Sequence, residues 1–172
     1  AVVNDFSFIH GQPENERRSG IIEAVKVALV KDAAFYRWIE ENSEKLANLE
    51  PHAVEETIER SALLHASHIA YGGDPYETGN SRPLDFGHWA AHKIEQLCDF
   101  QLSHANAVSV GLALDTVYSW KTGRLEQASA MRVLRTLKKL GLPTWHSSLD
   151  LKAENGSRAV FLGLEEFREH LG

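Results

Sequence analysis

The stretch RPLDFGHWAAHKIEQL, residues 82–97, has the apolar spacing of an amphipathic helix and carries two histidines, His88 and His92. Side chains at i and i+4 share one face of a helix, so both imidazoles point the same way. Zinc-binding helices use this spacing, and ordinary amphipathic helices contain it too. The Lys-Ile-Glu run of residues 93–95 indicates a solvent-facing end. On spacing alone, a metal or catalytic pair and two ordinary polar residues both stay open.

Helical periodicity covers most of the 172 residues and predicts a mostly α, multi-helix fold with at most a short strand or two. Asp32 and Ser103 are placed to cap helices, and Pro51 suits a first helical turn. We expect an extended segment over 1–12, a short strand within RAVFLGL (158–164), and helices that begin at Glu16 or span 33–49, 51–71, 85–98, 104–120 and 125–140.

Composition narrows the class of protein. A length of 172 residues, with 43% hydrophobic and 24% charged residues, predicts a single soluble domain over 1–172. The net charge of −6 argues against nucleic-acid binding, since phosphates require clustered cations. No apolar stretch reaches the roughly 18 residues of a membrane span. With no targeting pattern and the single cysteine Cys98, we expect a cytoplasmic protein.

Glu23 and Lys26 interrupt the apolar stretch SGIIEAVKVALV, residues 19–30. Spacing i, i+3 puts the carboxylate and the ammonium on one face of a helix that is otherwise apolar. Burial of either charge without a partner would cost several kcal/mol, about what a buried ion loses. The two groups therefore form an ion pair with each other, or lie on one solvent-facing stripe, or each has an external partner, a cation for Glu23 and an anion for Lys26.

Other histidines offer further ligands. His104 follows the cap at Ser103, and His65 and His68 lie near the end of the third long helix. A buried glutamate with two histidines from different helices would be a sound tridentate zinc set with a fourth position open. The residue pattern permits that set without selecting it.

Three segments stand in an order that one enzyme family shares: SGIIEAVKVALVKD, ExGxxRPLDFGHWAAHKIE and LSHANAVSVG. With the opening AVVNDF, they resemble the C-terminal domain of the sugar phosphate cyclases, whose founding member is 3-dehydroquinate synthase. The resemblance covers roughly residues 1–145 and is far more specific than the HxxxH spacing.

The resemblance implies a site assembled from three helices. Glu23, His88 and His104 fall where the family's three zinc ligands lie. Lys26 falls on a lysine that contacts the acidic groups of the substrate. His92 falls on a second histidine, which touches substrate and assists proton transfer. Lys26 and His92 are thus the catalytic candidates.

The resemblance also implies a reaction. Family enzymes oxidise a sugar phosphate with bound NAD, eliminate phosphate, return the hydride and close a carbocycle by an intramolecular aldol step, with zinc as the Lewis acid. This sequence contains no GxGxxG turn and no βαβ pattern. We therefore expect NAD to bind only with an N-terminal dinucleotide-binding domain of a longer protein, and the 172 residues alone to bind metal without turnover. The resemblance further implies a homodimer, as in other members of the family, and Trp38 or Trp120 could supply contacts between its subunits.

Several positions depart from the 3-dehydroquinate synthases. Asp85 replaces an asparagine before Phe-Gly-His, and Arg82 is offset by one from a family arginine; both stay candidates for substrate binding. Ala105-Asn106 replaces Gly-Glu, no lysine accompanies His65 and His68, and residues 146–162 contain no recognisable basic segment. These departures favour a divergent cyclase with another sugar phosphate substrate, in the manner of the 2-epi-5-epi-valiolone synthases or of an uncharacterised branch.

Two alternatives belong to other classes of protein. The first is a non-catalytic helical remnant or interaction module that retains the fold. The second is an unrelated helical metallohydrolase that binds metal through His88, His92 and either His65 or His68.

Overall fold

The structure, a computed structural model, describes Val3 and residues 5–72 and 83–170. The chain divides after residue 75 into two compact units, called here the N-terminal and C-terminal units. Every regular element in the described ranges is helical, which confirms the mostly α prediction. None of the helices in those ranges has the length and apolar character that a membrane crossing requires.

The described part of the N-terminal unit contains five helices, in which α2 packs against α3 and α5, and α4 contacts α3 and α5. Asp32 accepts hydrogen bonds from the backbone N–H groups of Ala34 and Phe35, at 2.8 and 2.9 Å, and thereby starts α3 as predicted. Pro51 opens α5 in the position expected of it. The helices are α1 Ser7–His10, α2 Glu14–Lys31, α3 Ala33–Glu41, α4 Ser43–Ala47 and α5 Pro51–Tyr71.

Two predictions for the N-terminal unit were wrong. The extended segment expected over residues 1–12 contains the helical turn α1. The single helix expected over 33–49 is broken at Asn42, whose side-chain amide donates to the Trp38 carbonyl at 2.9 Å. The break places Ile39 and Leu46, both fully buried, on separate helices.

The C-terminal unit is built around α7, which packs against α6 on one side and α8 on another. Ser103 caps α7 through its hydroxyl, and Gly141, at φ 75°, ends α8 in the left-handed conformation expected of a terminating glycine. The α-helices are α6 His88–Leu97, α7 His104–Lys121, α8 Gln127–Lys139 and α9 Leu162–His170, with 3-10 helices at Pro83–Asp85, Ser147–Asp150 and Ala159–Phe161.

The strand expected in RAVFLGL is absent from the described residues. That segment forms the 3-10 helix Ala159–Phe161 and the start of α9, both of which pack against α6. Phe161 stacks on Trp89 with ring centroids 6.4 Å apart. Gly163 lies so close to α6 that a Cβ would be 2.8 Å from the Trp89 carbonyl oxygen. The segment that the sequence suggested as a strand is therefore helical and packs against α6.

Candidate metal centre

The first turn of α6 is fixed by a carboxylate from α7. Asp115 accepts hydrogen bonds from the Gly87 backbone N–H at 2.8 Å and from the Trp89 indole N–H at 2.9 Å. Burial raises the pKa of Asp115, and the two donors, Trp89 and then Gly87, oppose that rise. Because Gly87 and Trp89 flank His88, these two hydrogen bonds hold the backbone from which the His88 side chain projects. Sequence reasoning missed Asp115, which has no motif of its own.

Three imidazoles meet in the C-terminal unit. His88 and His92 project from α6, and His104 is the first residue of α7. Their ring centroids are 5.7 Å apart for His88 and His92, and 5.5 Å apart for each of these with His104. Imidazoles that share one zinc ion have centres roughly 5 Å apart, because zinc–nitrogen bonds are about 2 Å long. Within this histidine cluster (His88, His92 and His104), His104 offers a ligand atom within 4.8 Å of one on His88 and within 4.8 Å of one on His92.

Glu95 lies beneath the histidine cluster. Its Oε2 is 3.1 Å from His104 Nδ1, in a hydrogen bond, and 3.3 Å from His92 Nδ1. Only 13% of the Glu95 side chain is exposed, against 54% for His92 and 48% for His104. The carboxylate is thus directed at the site and not at solvent.

The prediction of a solvent-facing Lys-Ile-Glu run was therefore wrong for each of its members. Ile94 is fully buried, Glu95 contacts the histidines, and the Lys93 side chain is 11% exposed. The Lys93 ammonium pairs with Glu166 of α9. Packing of α9 and the flanking 3-10 helices against α6 covers a face that the sequence alone suggested was free.

Glu23 and Lys26 belong to the N-terminal unit and lie on α2. Lys26 Nζ is 2.6 Å from Glu23 Oε2, so the mutual ion pair left open by the sequence is present. The Lys26 side chain is 7% exposed and that of Glu23 is 42% exposed. A buried ammonium beside a partly accessible carboxylate leaves the carboxylate able to bind a second cation.

The remaining candidate residues differ in their exposure to solvent. Asp85 is half-buried in the 3-10 helix that precedes α6, His65 is exposed on α5, and His68 is half-buried. Cys98 is a half-buried thiol that contacts the Glu95 carbonyl oxygen at 3.5 Å. Arg82 lies outside the described residues.

Comparison with known proteins decides the family. The family model for the 3-dehydroquinate synthase C-terminal domain matches residues 20–160. The chain belongs to this family. The resemblance seen in the sequence is therefore confirmed, and an unrelated metallohydrolase is excluded.

Two relatives extend this result. A 3-dehydroquinate synthase of Pseudomonas putida (strain W619) is 33% identical over 144 residues, which are 83% of this chain and 39% of the relative. The structure of a 2-epi-5-epi-valiolone synthase from Streptomyces hygroscopicus subsp. jinggangensis 5008, with NAD+ and Zn2+ bound, matches with a TM-score of 0.83 at 26% identity. That match covers 97% of this chain and 45% of the other. This member of the 3-dehydroquinate synthase C-terminal family thus spans less than half the length of either relative.

Proposed function

We propose that residues 1–172 are the metal- and substrate-binding domain of a sugar phosphate cyclase related to 3-dehydroquinate synthase. The observation that carries this proposal is the histidine cluster, in which the rings of His88 and His104, the residues that the resemblance implies as zinc ligands, have centroids 5.5 Å apart. Membership of the family and the Zn2+ in the valiolone synthase support it.

The proposed zinc ligands are Glu23, His88 and His104. One carboxylate and two imidazoles match the donor set of catalytic zinc sites, which keep a fourth position for water or substrate. Glu23 enters this set from its place in the family motif, as a partly accessible carboxylate. When bound, zinc supplies Lewis-acid polarisation of an oxygen at the reacting carbon.

Substrate contacts are proposed for Lys26, His92, Asp85 and Arg82. Lys26 has a buried ammonium, whose charge attracts anionic substrate groups more strongly than it would in bulk water. His92 carries a half-exposed imidazole, which a substrate can reach and which we propose serves in proton transfer. Asp85 accepts hydrogen bonds from substrate hydroxyl groups, and Arg82 binds an anionic group.

The cyclase reaction also requires NAD, whose hydride chemistry we assign to a dinucleotide-binding domain on the N-terminal side of this chain in the longer protein. In that protein we propose a sugar phosphate as substrate and a homodimer as the assembled form. The departures at Asp85 and at Ala105-Asn106 favour a substrate other than that of 3-dehydroquinate synthase.

The experiment that tests the proposal is metal analysis of the purified 172-residue chain after removal of metal and reloading with zinc. We expect about one zinc per chain, lost in Glu23→Ala, His88→Ala and His104→Ala and retained in His92→Ala. Circular dichroism on each variant separates loss of a ligand from loss of folding.

Two results would reject this assignment. Absence of zinc from the parent chain, under conditions that load other zinc proteins, would favour a non-catalytic remnant that retains the fold. Loss of zinc in His92→Ala with retention in Glu23→Ala would require a different ligand set.

A further inference from the structure

We propose that Glu95 is a positioning residue of this centre, which holds the His104 ring with Nε2 directed to the metal. The inference rests on the proposed function, since it takes His104 as a ligand. It assigns a role to a residue that the metal and substrate assignments above do not use.

The position of Glu95 supports such a role. Its hydrogen bond to His104 Nδ1, at 3.1 Å, joins the last part of α6 to the first residue of α7. The Glu95 side chain is 13% exposed and that of His104 is 48% exposed, so the acceptor lies deeper in the protein than the ring it contacts. This hydrogen bond restrains the His104 ring in addition to its contacts with the rings of His88 and His92.

The chemistry of the pair defines which nitrogen is available. An ionised carboxylate only accepts hydrogen bonds, so Nδ1 of His104 must carry the proton in this contact. In a neutral imidazole the lone pair then resides on Nε2. A carboxylate behind a ligating histidine fixes the tautomer, orients the ring and raises its basicity. Glu95 thus presents the His104 lone pair on the side away from itself.

His92 shares the same carboxylate oxygen. Its Nδ1 lies 3.3 Å from Glu95 Oε2, one helical turn away on α6. This is an ion-pair distance, without the hydrogen bond that the same oxygen makes to His104. The half-buried carboxylate therefore orients the His104 ring directly and acts on His92 only through its charge.

A rival arrangement makes Glu95 itself a ligand. His92, Glu95 and His104 offer ligand atoms within 4.8 Å of one another. In that arrangement a cation would replace the proton between His104 Nδ1 and the carboxylate. The 3.1 Å separation is the length of an ordinary N–H···O hydrogen bond and is also close to the spacing of two ligands on one zinc ion, so an affinity measurement is needed to distinguish the two roles.

Zinc affinity separates the two roles. In chelator competition with the 172-residue chain, we expect Glu95→Ala to weaken zinc binding about 10- to 100-fold, as loss of an outer hydrogen-bond partner does. Glu95→Gln keeps an oxygen that accepts from Nδ1–H, so it should recover most of that loss. Glu154→Ala and Glu154→Gln change an exposed glutamate of the same unit and should leave the affinity unaltered.

Nitrogen-15 NMR of the metal-free chain provides a readout that does not depend on zinc. At about pH 8, where free imidazole is neutral, the parent should show His104 protonated at Nδ1. Glu95→Ala should lose this tautomer preference, and Glu95→Gln should keep it. The Glu154 variants should match the parent.

The outcomes distinguish failure of this inference from failure of the proposed function. Loss of zinc in Glu95→Gln as complete as in His88→Ala would make Glu95 a direct ligand and overturn the positioning role. Parent-like affinity and tautomer in Glu95→Ala would also overturn it. A parent chain that binds no zinc would reject the proposed metal site, while the tautomer measurement would still decide whether Glu95 orients His104.

Discussion

Gly111 of α7 lies against Gly87 at the start of α6, so closely that a Cβ at Gly111 would be 2.0 Å from the Gly87 carbonyl oxygen. Gly87 has φ 82°, and a Cβ there would be 2.7 Å from the Leu112 backbone nitrogen. Both backbones therefore require glycine. Since His88 follows Gly87 directly, this contact fixes the backbone position of His88, the first residue of the histidine cluster.

Gly111→Ala should destabilise the protein by about 1–3 kcal/mol or more, as overpacking against a rigid backbone does. The substituted methyl group meets backbone atoms and not a flexible side chain, so the helices must separate. Urea denaturation measures the free energy of unfolding. Zinc affinity should fall as well, because α6 and α7 carry His88 and His104.

Gly20→Ala is the matched control for this prediction. Gly20 lies within α2, and a Cβ there would meet nothing within 4 Å. The same substitution should raise the free energy of unfolding by about 0.5–1 kcal/mol, because alanine loses less backbone entropy in a helix. An equal effect of both substitutions would show that the Gly87–Gly111 contact has no energetic weight.

Local signals in the sequence were sufficient for most of the helices. The caps Asp32 and Ser103 and the proline at the start of α5 act within a few residues, and all were confirmed. The break at Asn42 and the α9 segment were missed, because each depends on which distant element covers an apolar side chain. Periodicity reports that a face is apolar without reporting its partner.

The candidate site shows the same division between local and long-range information. The family motifs identified His88, His92 and His104, which the structure brings together. Glu95 and Asp115 were missed because their roles arise only from the packing of α6 on α7 and of α9 on α6. A glutamate two residues after a lysine is typical of a solvated face, and no spacing rule distinguishes Glu95 from such a residue.

Asp32→Ala tests one of the local signals. It removes an acceptor for the Ala34 and Phe35 N–H groups and should lower the free energy of unfolding by about 1 kcal/mol. Asp32→Asn keeps a side-chain oxygen at this position and should cost less. Thermal and urea unfolding give the comparison, and equal losses in the two variants would contradict a capping role.

Lys26→Met should leave the free energy of unfolding roughly unchanged. Replacement of a buried charge by an apolar side chain of similar volume removes a desolvation cost, and the partner Glu23 is open enough to be solvated. Zinc content should be retained, since Lys26 is not a proposed ligand. A large loss of stability would instead show that the ion pair stabilises α2, and Lys26→Arg would then test whether the charge alone suffices.

Asp115→Asn tests the buried carboxylate through pH. The pKa of Asp115 is raised above its ordinary value of 3.8, chiefly by burial. At pH values between the ordinary pKa of 3.8 and the raised pKa of Asp115 in the folded protein, the folded protein binds more protons than the unfolded chain. Stability therefore falls as pH rises through that window. Asparagine is neutral throughout and lacks this decline, although it can satisfy only one of the two donors, Trp89 and Gly87, at a roughly constant cost of about 1–3 kcal/mol.

The stability advantage of the parent over Asp115→Asn should therefore be largest at about pH 4 and should shrink as pH rises, because only the parent has a carboxyl group at position 115 that can ionise. Urea denaturation of both proteins from about pH 4 to about pH 8 measures the difference directly. Asp99→Asn makes the same chemical change at an exposed position and corrects for general charge effects. An advantage that grows with pH would mean that the ionised carboxylate, held by Trp89 and Gly87, stabilises the first turn of α6 by more than its burial costs.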